Sequence, residues 1–190
     1  MKRIGIIGLS HDHVWDVLPD LAANEDAELV AAASAQLPLL ERAKKEYGVQ
    51  TYPDAAEMAA GETLDAVYIY GNNRAGAIEG VKAMERGWHV LIEKPLAADL
   101  EGARKLMQAA DTSGRRLMVN WPIAWWPPLQ HALQMAQSGE IGEVWQVKYR
   151  AAHNGPKEMG ASEYFCYWLY DPERNGGGAL IDYCCYGANL

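Results

Sequence analysis

Three residues that follow a short apolar run, Glu93, Lys94 and Pro95, are the first candidates for chemistry in this sequence. The run at residues 89–92 is typical of a buried strand, so the triad places a lysine where that strand ends. Open α/β sheets bind their ligands at the carboxyl ends of their strands. Lys94 is therefore predicted to face a ligand, and the alternative is an ordinary solvated loop lysine.

A glycine turn near the N-terminus is the second candidate. Residues 4–9 form an apolar run with a turn at Gly8, as at the start of dinucleotide-binding domains. The three glycine positions of the full fingerprint hold Gly8, Ser10 and His13. Ser10 is small and can donate a hydrogen bond, whereas His13 is bulky where close contact is needed. Asp12 would compete with a phosphate for the helix N-terminus, so the alternative is that Asp12 or Ser10 caps the helix and no anion binds.

Further polar side chains would complete a cofactor site. His11 and His13 could offset the charge of Asp12 if they were protonated, and two imidazoles without a set of carboxylates predict no metal site. The second strand ends at Ser34, where an acidic ribose-binding residue is expected. A serine can bond either a hydroxyl or a phosphate, and neither Arg nor Lys adjoins it. The choice between NAD and NADP stays open.

Strands and helices must alternate to bring these residues together. Apolar runs predict strands, and amphipathic segments predict helices, with Asp54 and Asp99 as helix caps. The strands are predicted at 4–9, 28–33, 65–70, 88–92 and 116–120, and the helices at 13–23, 37–47, 54–60, 74–86 and 99–113. This alternation implies a parallel sheet with right-handed crossovers. The predicted fold class is α/β, with a doubly wound Rossmann sheet over residues 1–120.

The composition changes after Asn120. Residues 121–128 are rich in tryptophan and proline, which indicates a crossing between domains. A helix is predicted at 129–138, a strand at 143–152, a loop up to the glycines at 176–178, and a helix from residue 179. One helix and one strand cannot bury a sheet face. Residues 121–190 are therefore predicted to be an α+β domain that is incomplete or completed by a partner chain.

Bulk properties exclude several classes of protein. The chain has 190 residues and a net charge of -8, so a nucleic-acid-binding surface is not expected. No apolar run approaches the roughly 18 residues of a membrane span, and none is expected. Three cysteines, Cys166, Cys184 and Cys185, lack the spacing of a zinc or disulfide framework, which indicates a reducing compartment. A cytoplasmic protein is predicted.

Several of these segments together resemble the glucose-fructose oxidoreductase, inositol dehydrogenase and MocA family (Gfo/Idh/MocA). The specific ones are the triad 93–95 and the segment from Gly176 to Asp182; the others lie at 4–10, 46–49, 64–67, 87–92 and 139–144. The resemblance implies an N-terminal Rossmann domain that binds NAD or NADP. It also implies a C-terminal α+β domain that shapes the substrate pocket and mediates homo-oligomerisation.

The resemblance assigns roles only where residues match. Lys94 corresponds to the family lysine near the nicotinamide and the substrate hydroxyl, where a cation can polarise a carbonyl or relay a proton. Glu93 and Pro95 adjoin it, and Pro95 shapes the nicotinamide site. Asp182 begins the family pattern Asp-x-x-x-His, but Tyr186 stands at the histidine position. The resemblance implies that Asp182 or Tyr186 assists Lys94 in catalysis. Tyrosine can donate a proton but is a poor base at neutral pH unless Lys94 lowers its pKa, and the alternative for Tyr186 is a helix residue that packs against the sheet.

Other family positions differ in this sequence. Asn72 is kept from a Pro-Asn-x-x-His turn whose histidine is missing. An arginine that the family commonly places shortly after the fifth strand is also absent.

An NAD(P)-dependent oxidoreductase of a sugar, polyol or similar small molecule is the leading hypothesis. Family members are longer than 190 residues, so the chain is interpreted as an N-terminal portion truncated in its second domain. Two alternatives stay open. One is a noncatalytic Rossmann-fold binding or regulatory module, and the other is a truncated chain that is inactive on its own.

Overall fold

The computed structural model describes residues 1–190 and contains one sheet of six parallel strands. The strands are β1 (Lys2–Ile7), β2 (Ala27–Ala33), β3 (Gln50–Tyr52), β4 (Ala66–Ile69), β5 (His89–Glu93) and β6 (Leu117–Asn120). Their order across the sheet is β3-β2-β1-β4-β5-β6. The chain leaves the sheet centre in opposite directions from β1 and β4, and such reversals are where open α/β sheets bind ligands. The predicted Rossmann fold is confirmed.

Five helices connect these strands. They are α1 (His13–Ala22), α2 (Leu37–Tyr47), α3 (Ala55–Gly61), α4 (Asn73–Glu85) and α5 (Leu100–Ser113). Asp54 and Asp99 cap α3 and α5 by accepting bonds from backbone N–H groups, as predicted. Gly48 ends α2 in the left-handed conformation with φ of 69°.

Apolar side chains fill both faces of the sheet. On one face, Val67, Ile69 and Val90 pack with residues of α3, α4 and α5. On the other face, Ile4 and Ile6 pack with residues of α1 and α2. Alternate residues of a strand point to opposite faces, so both faces of a covered parallel sheet must be apolar. The carboxyl edge of the sheet is left for polar side chains.

Residues after β6 form short helices. A 3-10 helix (Pro122–Trp125) leads into α6 (Pro127–Ser138), and α7 (Glu163–Leu169), α8 (Pro172–Asn175) and α9 (Ala179–Asn189) follow. Helix α6 has no buried residue. No helix of the chain combines the length and hydropathy that a membrane crossing requires.

The predicted strand at 143–152 is wrong. These residues pair with no other strand, and Trp145 and Val147 are 87% and 69% exposed. A strand needs a neighbour to satisfy its backbone groups, and no strand follows β6. The sequence also missed β3, which is only three residues long, and α7 and α8, where a loop was predicted.

Candidate functional site

The turn after β1 requires glycine because it packs against the turn after β4. Gly8 has φ of 81°, and a Cβ atom there would lie 2.6 Å from the backbone nitrogen of Gly71. The backbone N–H of His11 donates a 3.0 Å bond to the carbonyl of Tyr70, which joins the same two turns. Positive φ and close approach together exclude a side chain at Gly8.

A crevice of about 240 Å³ lies beside this turn. It brings together four predicted cofactor-binding residues, Gly8, Ser10, Ser34 and Asn72. It lies at the carboxyl ends of β1, β2 and β4, where a doubly wound fold binds a dinucleotide. Two carboxylates, Asp54 and Glu79, also line it, and no Lys or Arg does.

Ser34 and Asn72 already have partners within the chain. The Ser34 hydroxyl donates a 2.7 Å bond to Gln36 Oε1 and accepts a 3.3 Å bond from the Gln36 backbone N–H. Asn72 caps α4 by accepting a 2.9 Å bond from the backbone N–H of Ala75. A ribose or phosphate would therefore meet an uncharged Ser34–Gln36 pair at the end of β2.

The lysine of the triad is buried in an ion pair. Lys94 Nζ lies 2.8 Å from Asp182 Oδ1, and the two side chains are only 5% and 13% exposed. The ammonium also lies 5.0 Å from the centroid of the Tyr186 ring. The structure thus brings together all three predicted catalytic residues, from the end of β5 and from α9. Pro95 is buried next to Lys94.

Burial raises the pKa of Tyr186 above its ordinary value of 10.0, and the Glu93 carboxylate adds to the rise. The hydroxyl is therefore protonated at neutral pH. Lys94 faces the ring of Tyr186 and does not lower the pKa of the phenol, which was the condition for Tyr186 to act as a base. Tyr186 can donate a proton but is a poor base.

Both carboxylate oxygens of Glu93 are occupied by neighbouring elements. Oε1 lies 3.1 Å from His13 Nδ1 at the start of α1, and Oε2 accepts a 2.7 Å bond from Asn120 Nδ2 at the end of β6. Glu93 therefore joins three elements around Lys94. Candidate ligand atoms of His11, His13 and Glu93 lie within 4.8 Å of one another, and the bond between His13 and Glu93 accounts for the proximity of that pair.

His11 is an uncharged core residue. It is 1% exposed, its Nδ1 accepts a 3.3 Å bond from the His13 backbone N–H, and its Nε2 has no partner. Burial lowers the pKa of His11 well below 6.5, and His13 and Lys94 lower it further. The interpretation that a protonated His11 offsets the charge of Asp12 is therefore wrong, because desolvation disfavours the charged imidazole.

The Asp12 carboxylate does not cap α1. Its side chain makes no capping bond, although it occupies the N-cap position. Instead Asp12 Oδ2 accepts a 2.7 Å bond from the Ser162 backbone N–H, and Oδ1 accepts a bond from the Ser162 hydroxyl. The predicted Asp12 cap is therefore corrected, and Asp12 does not take up the first amides of α1, because its oxygens bond a residue 150 positions away in sequence.

A second, larger cavity adjoins Asp182, the ion-pair partner of Lys94. Its volume is about 1030 Å³, and Asp182, the partner of Lys94, lies in its wall. Arg150, His153 and Tyr183 line it as well. A small molecule in this cavity could therefore contact Asp182.

Sequence reasoning missed two polar residues that organise the site. Asn120 carried a usable signal, because it ends a predicted strand and carboxyl ends of parallel strands meet at one edge. Ser162 carried no clear signal, because its partner Asp12 lies far away in sequence and α7 was predicted as a loop.

The chain matches two family models in succession. Residues 2–121 match the oxidoreductase family with an NAD-binding Rossmann fold, GFO_IDH_MocA. Residues 129–190 match a GFO/IDH/MocA C-terminal domain. The first match covers well over half of the chain.

Curated oxidoreductases are similar to this chain in sequence. An uncharacterized oxidoreductase, ORF334 of Rhizobium meliloti, is 33% identical over 98% of this chain and 54% of its own length. The dTDP-3,4-didehydro-2,6-dideoxy-alpha-D-glucose 3-reductase of Actinomadura kijaniata is 32% identical over 97% of this chain and 53% of its own.

A solved structure shows the same fold. It is the WlbA dehydrogenase of Bordetella pertussis in complex with NADH and UDP-GlcNAcA, which superposes with a TM-score of 0.86 at 22% sequence identity. The match covers 99% of this chain and 56% of the WlbA chain. The chain spans about half the length of the curated relatives it matches. Because the first family model covers more than half of the chain, the chain belongs to the Gfo/Idh/MocA oxidoreductase family with an NAD-binding Rossmann fold.

Proposed function

We propose that the protein is an NAD(P)-dependent oxidoreductase that transfers a hydride between the nicotinamide and a hydroxyl or carbonyl carbon of a sugar, polyol or similar small molecule. One observation carries the proposal: a buried lysine, paired with Asp182, lies at the carboxyl end of β5, and the carboxyl ends of β1, β2 and β4 in the same sheet border a dinucleotide-type crevice. The dTDP-sugar reductase among the relatives supports the sugar class.

The chain's own residues fit the cofactor. The bare Gly8 turn allows a diphosphate to approach the start of α1, where backbone N–H groups and the helix dipole favour negative charge. Ser10, Ser34 and Asn72 line the crevice and can bond ribose and phosphate groups. We assign Pro95 to the nicotinamide site because it matches the family position, and it is buried next to Lys94. When bound, the cofactor supplies or accepts the hydride.

Lys94 has the central role in handling the proton. Its ammonium can hydrogen-bond the substrate oxygen and stabilise negative charge that develops there. Asp182 holds the ammonium in place at 2.8 Å, and Tyr186, kept protonated by burial, can donate a proton during carbonyl reduction. Glu93, bonded to His13 and Asn120, fixes the backbone from which Lys94 projects.

Cofactor binding and substrate binding are assigned to different parts of the chain, in line with the two regions that match family models. We assign cofactor binding to residues 1–120 and place the start of an α+β substrate and oligomerisation domain at residues 121–190. Four exposed apolar side chains, Ile141, Val144, Trp145 and Val147, support a homo-oligomer, because burying apolar groups favours association. Three free cysteines support a cytoplasmic location.

Replacing Lys94 by methionine is the direct test. NAD⁺ or NADP⁺ should raise the melting temperature of both the parent and the Lys94→Met variant, because binding to the native state stabilises it. Reduction of the cofactor at 340 nm, measured with inositols, xylose and glucose, should fall roughly 100-fold or more in the variant, as expected for loss of a general acid or base.

Lys105→Met is the matched control, since Lys105 is an exposed residue of α5 that pairs with Glu101. It should retain the parent rate. A parent chain whose melting temperature neither dinucleotide changes would refute the proposal, as would a Lys94→Met variant that turns over at the parent rate.

A further inference from the structure

We propose that Ser162 is a positioning residue for cofactor binding, because it holds the Asp12 carboxylate away from the backbone N–H groups that would bind the diphosphate. The inference rests on the proposed function, since it concerns the cofactor site of that same activity. It makes the affinity for the dinucleotide depend on α7, although cofactor binding is assigned to residues 1–120.

The turn after β1 offers backbone donors without acceptors. The N–H groups of Ser10 and Asp12 make no hydrogen bond within the chain, whereas the N–H of His11 between them donates to the carbonyl of Tyr70. Ser10 also lines the crevice. Free amides at a helix N-terminus favour an anion through hydrogen bonds and through the helix dipole. They are therefore the groups that a cofactor diphosphate would contact.

The Asp12 carboxylate is the nearest competitor for these donors. It belongs to the same residue as one of the free N–H groups, and aspartate side chains readily bond nearby backbone N–H groups. The helix dipole that favours a phosphate favours a carboxylate as well. An unrestrained Asp12 side chain would thus lower the affinity for the cofactor, both by occupying donors and by like-charge repulsion.

Ser162 binds both oxygens of this carboxylate. Its backbone N–H donates a 2.7 Å bond to Asp12 Oδ2, and its hydroxyl donates to Oδ1. Asp12 accordingly makes no side-chain capping bond at the start of α1. Two hydrogen bonds to one carboxylate fix its direction and offset part of its charge. The donors of the turn are left for another anion.

Packing around α7 holds Ser162 in place. The hydroxyl oxygen of Ser162 accepts a 3.1 Å bond from the Phe165 backbone N–H, so the same side chain caps α7. The rings of Phe165 and Trp168 lie 4.4 and 5.7 Å from the ring of His11, which is buried. The hydroxyl has one proton to donate, and it goes to Asp12. The contact therefore joins the turn after β1 to a packed helix.

A double-mutant cycle tests the inference. Dissociation constants of NAD⁺ and NADP⁺ would be measured by titration calorimetry for the parent, Ser162→Ala, Asp12→Ala and the double variant. We expect Ser162→Ala to weaken binding of the preferred dinucleotide about fivefold, the size of an ordinary interaction between a charge and a helix N-terminus. In the Asp12→Ala background the same replacement should have less than a twofold effect, because no carboxylate remains to be released.

Two further variants separate the hydroxyl from the fold. Ser162→Thr keeps the hydroxyl and should restore the parent affinity. Ser138→Ala is the matched control, because it removes an exposed hydroxyl that bonds the Met135 carbonyl at the end of α6. Melting temperatures without cofactor show which variants are folded. Ser162→Gly, which lacks the hydroxyl but suits an N-cap, replaces Ser162→Ala if that variant shows no melting transition.

Two results would overturn the inference. One is an affinity of Ser162→Ala equal to that of the parent. The other is an equal loss in the Asp12→Ala background, which would assign the effect to the packing of α7 and not to the carboxylate. Either result leaves cofactor binding by the parent and the Lys94→Met measurements unaffected, so failure of this inference is distinguishable from failure of the proposed function.

Discussion

The ion pair between Lys94 and Asp182 makes each partner dependent on the other. Both side chains are almost fully removed from water, so deleting one partner leaves a desolvated charge. Such deletions cost about 3–5 kcal/mol, whereas replacing both partners with neutral groups costs far less. The activity and stability of Lys94→Met should therefore be compared with those of the Lys94→Met/Asp182→Asn double variant, which removes both charges and so leaves no unpaired charge buried.

The buried His11 makes the stability of the fold depend on pH. Its pKa is lowered in the folded state because burial penalises the imidazolium. Below pH 6.5 the unfolded chain binds a proton that the native state does not, so His11 lowers the free energy of unfolding as pH falls. The slope is about 1.4 kcal/mol per pH unit until the folded pKa is reached, and the contribution is constant above pH 6.5.

Urea unfolding at pH 7.0 and 5.5 would measure this effect. The His11→Asn variant should lose less stability than the parent between the two values, by roughly 1 kcal/mol on the same slope. The exposed His131→Gln variant is the control and should behave as the parent does. An identical pH dependence in His11→Asn would show that His11 is not responsible.

Residue roles were predictable where the role depends on local sequence. The caps Asp54 and Asp99 and the lysine at the end of β5 follow from short patterns. Asp12 and His11 were misinterpreted because the groups that determine their state, Ser162 and the ring of Phe165, lie far away along the chain, 150 residues in the case of Asp12 and Ser162. Burial of a side chain and a hydrogen bond to a distant residue cannot be predicted from the neighbouring residues in the sequence.

At the scale of elements, the turn after β1 leaves no room for a side chain at Gly8. Gly8→Ala would require a positive φ from alanine and would also place Cβ against the backbone of Gly71. Gly48→Ala is the matched control, because Gly48 has φ of 69° but no atom lies within 4 Å of the position that a Cβ would take there. Left-handed backbone alone costs a non-glycine residue about 1–2 kcal/mol.

Chemical denaturation should therefore show a loss of about 1 kcal/mol for Gly48→Ala and a clearly larger loss for Gly8→Ala. Cofactor binding should weaken only in Gly8→Ala, because only that turn borders the crevice. Equal losses in the two variants would mean that the turn relaxes and that close approach to Gly71 is unimportant.

Element prediction succeeded where a helix or strand is stabilised by its own periodic pattern. The five longer strands and the first five helices were found with boundaries shifted by a residue or two. The predicted strand at 143–152 failed because alternation alone cannot supply a pairing partner. Helix α7 was missed because its aromatic run has no clear period; Ser162 caps it, and Phe165 and Trp168 pack on His11.

At the scale of the whole molecule, the residues after 160 are joined to the sheet by specific polar contacts. Ser162 bonds Asp12 at one end of this stretch. At the other end, Asn73 Nδ2 donates to both the side-chain and the backbone oxygens of Asn175, at 2.7 and 3.0 Å, in a buried setting. A Cβ at Gly176 would overlap the carbonyl oxygen of Ala98, so backbone packs on backbone there.

The Asn73→Ala variant tests this attachment. It leaves two buried oxygens of Asn175 without that donor, so we expect a loss of about 1–3 kcal/mol in the free energy of unfolding. Hydrogen exchange should increase in residues 163–175 and remain slow in β1 and β2. Gln108→Ala, which changes an exposed carboxamide on α5, is the control and should alter neither. Unchanged exchange in 163–175 would show that Asn73 does not hold this stretch.

The crevice also bears on how readily the protein's cofactor selectivity could evolve. Asp54 and Glu79 lie in its wall without a basic neighbour, so a 2′-phosphate would find hydrogen-bonding groups such as Ser34 there but no opposite charge. Discrimination of this kind is reversed by neutralising a charge or adding a cation at an exposed position such as Ala35, with no change to the core. We therefore expect the preference between NAD and NADP to change through single surface substitutions in evolution. The buried pair of Lys94 and Asp182 should change rarely, because replacing one partner leaves the other charge buried and unpaired.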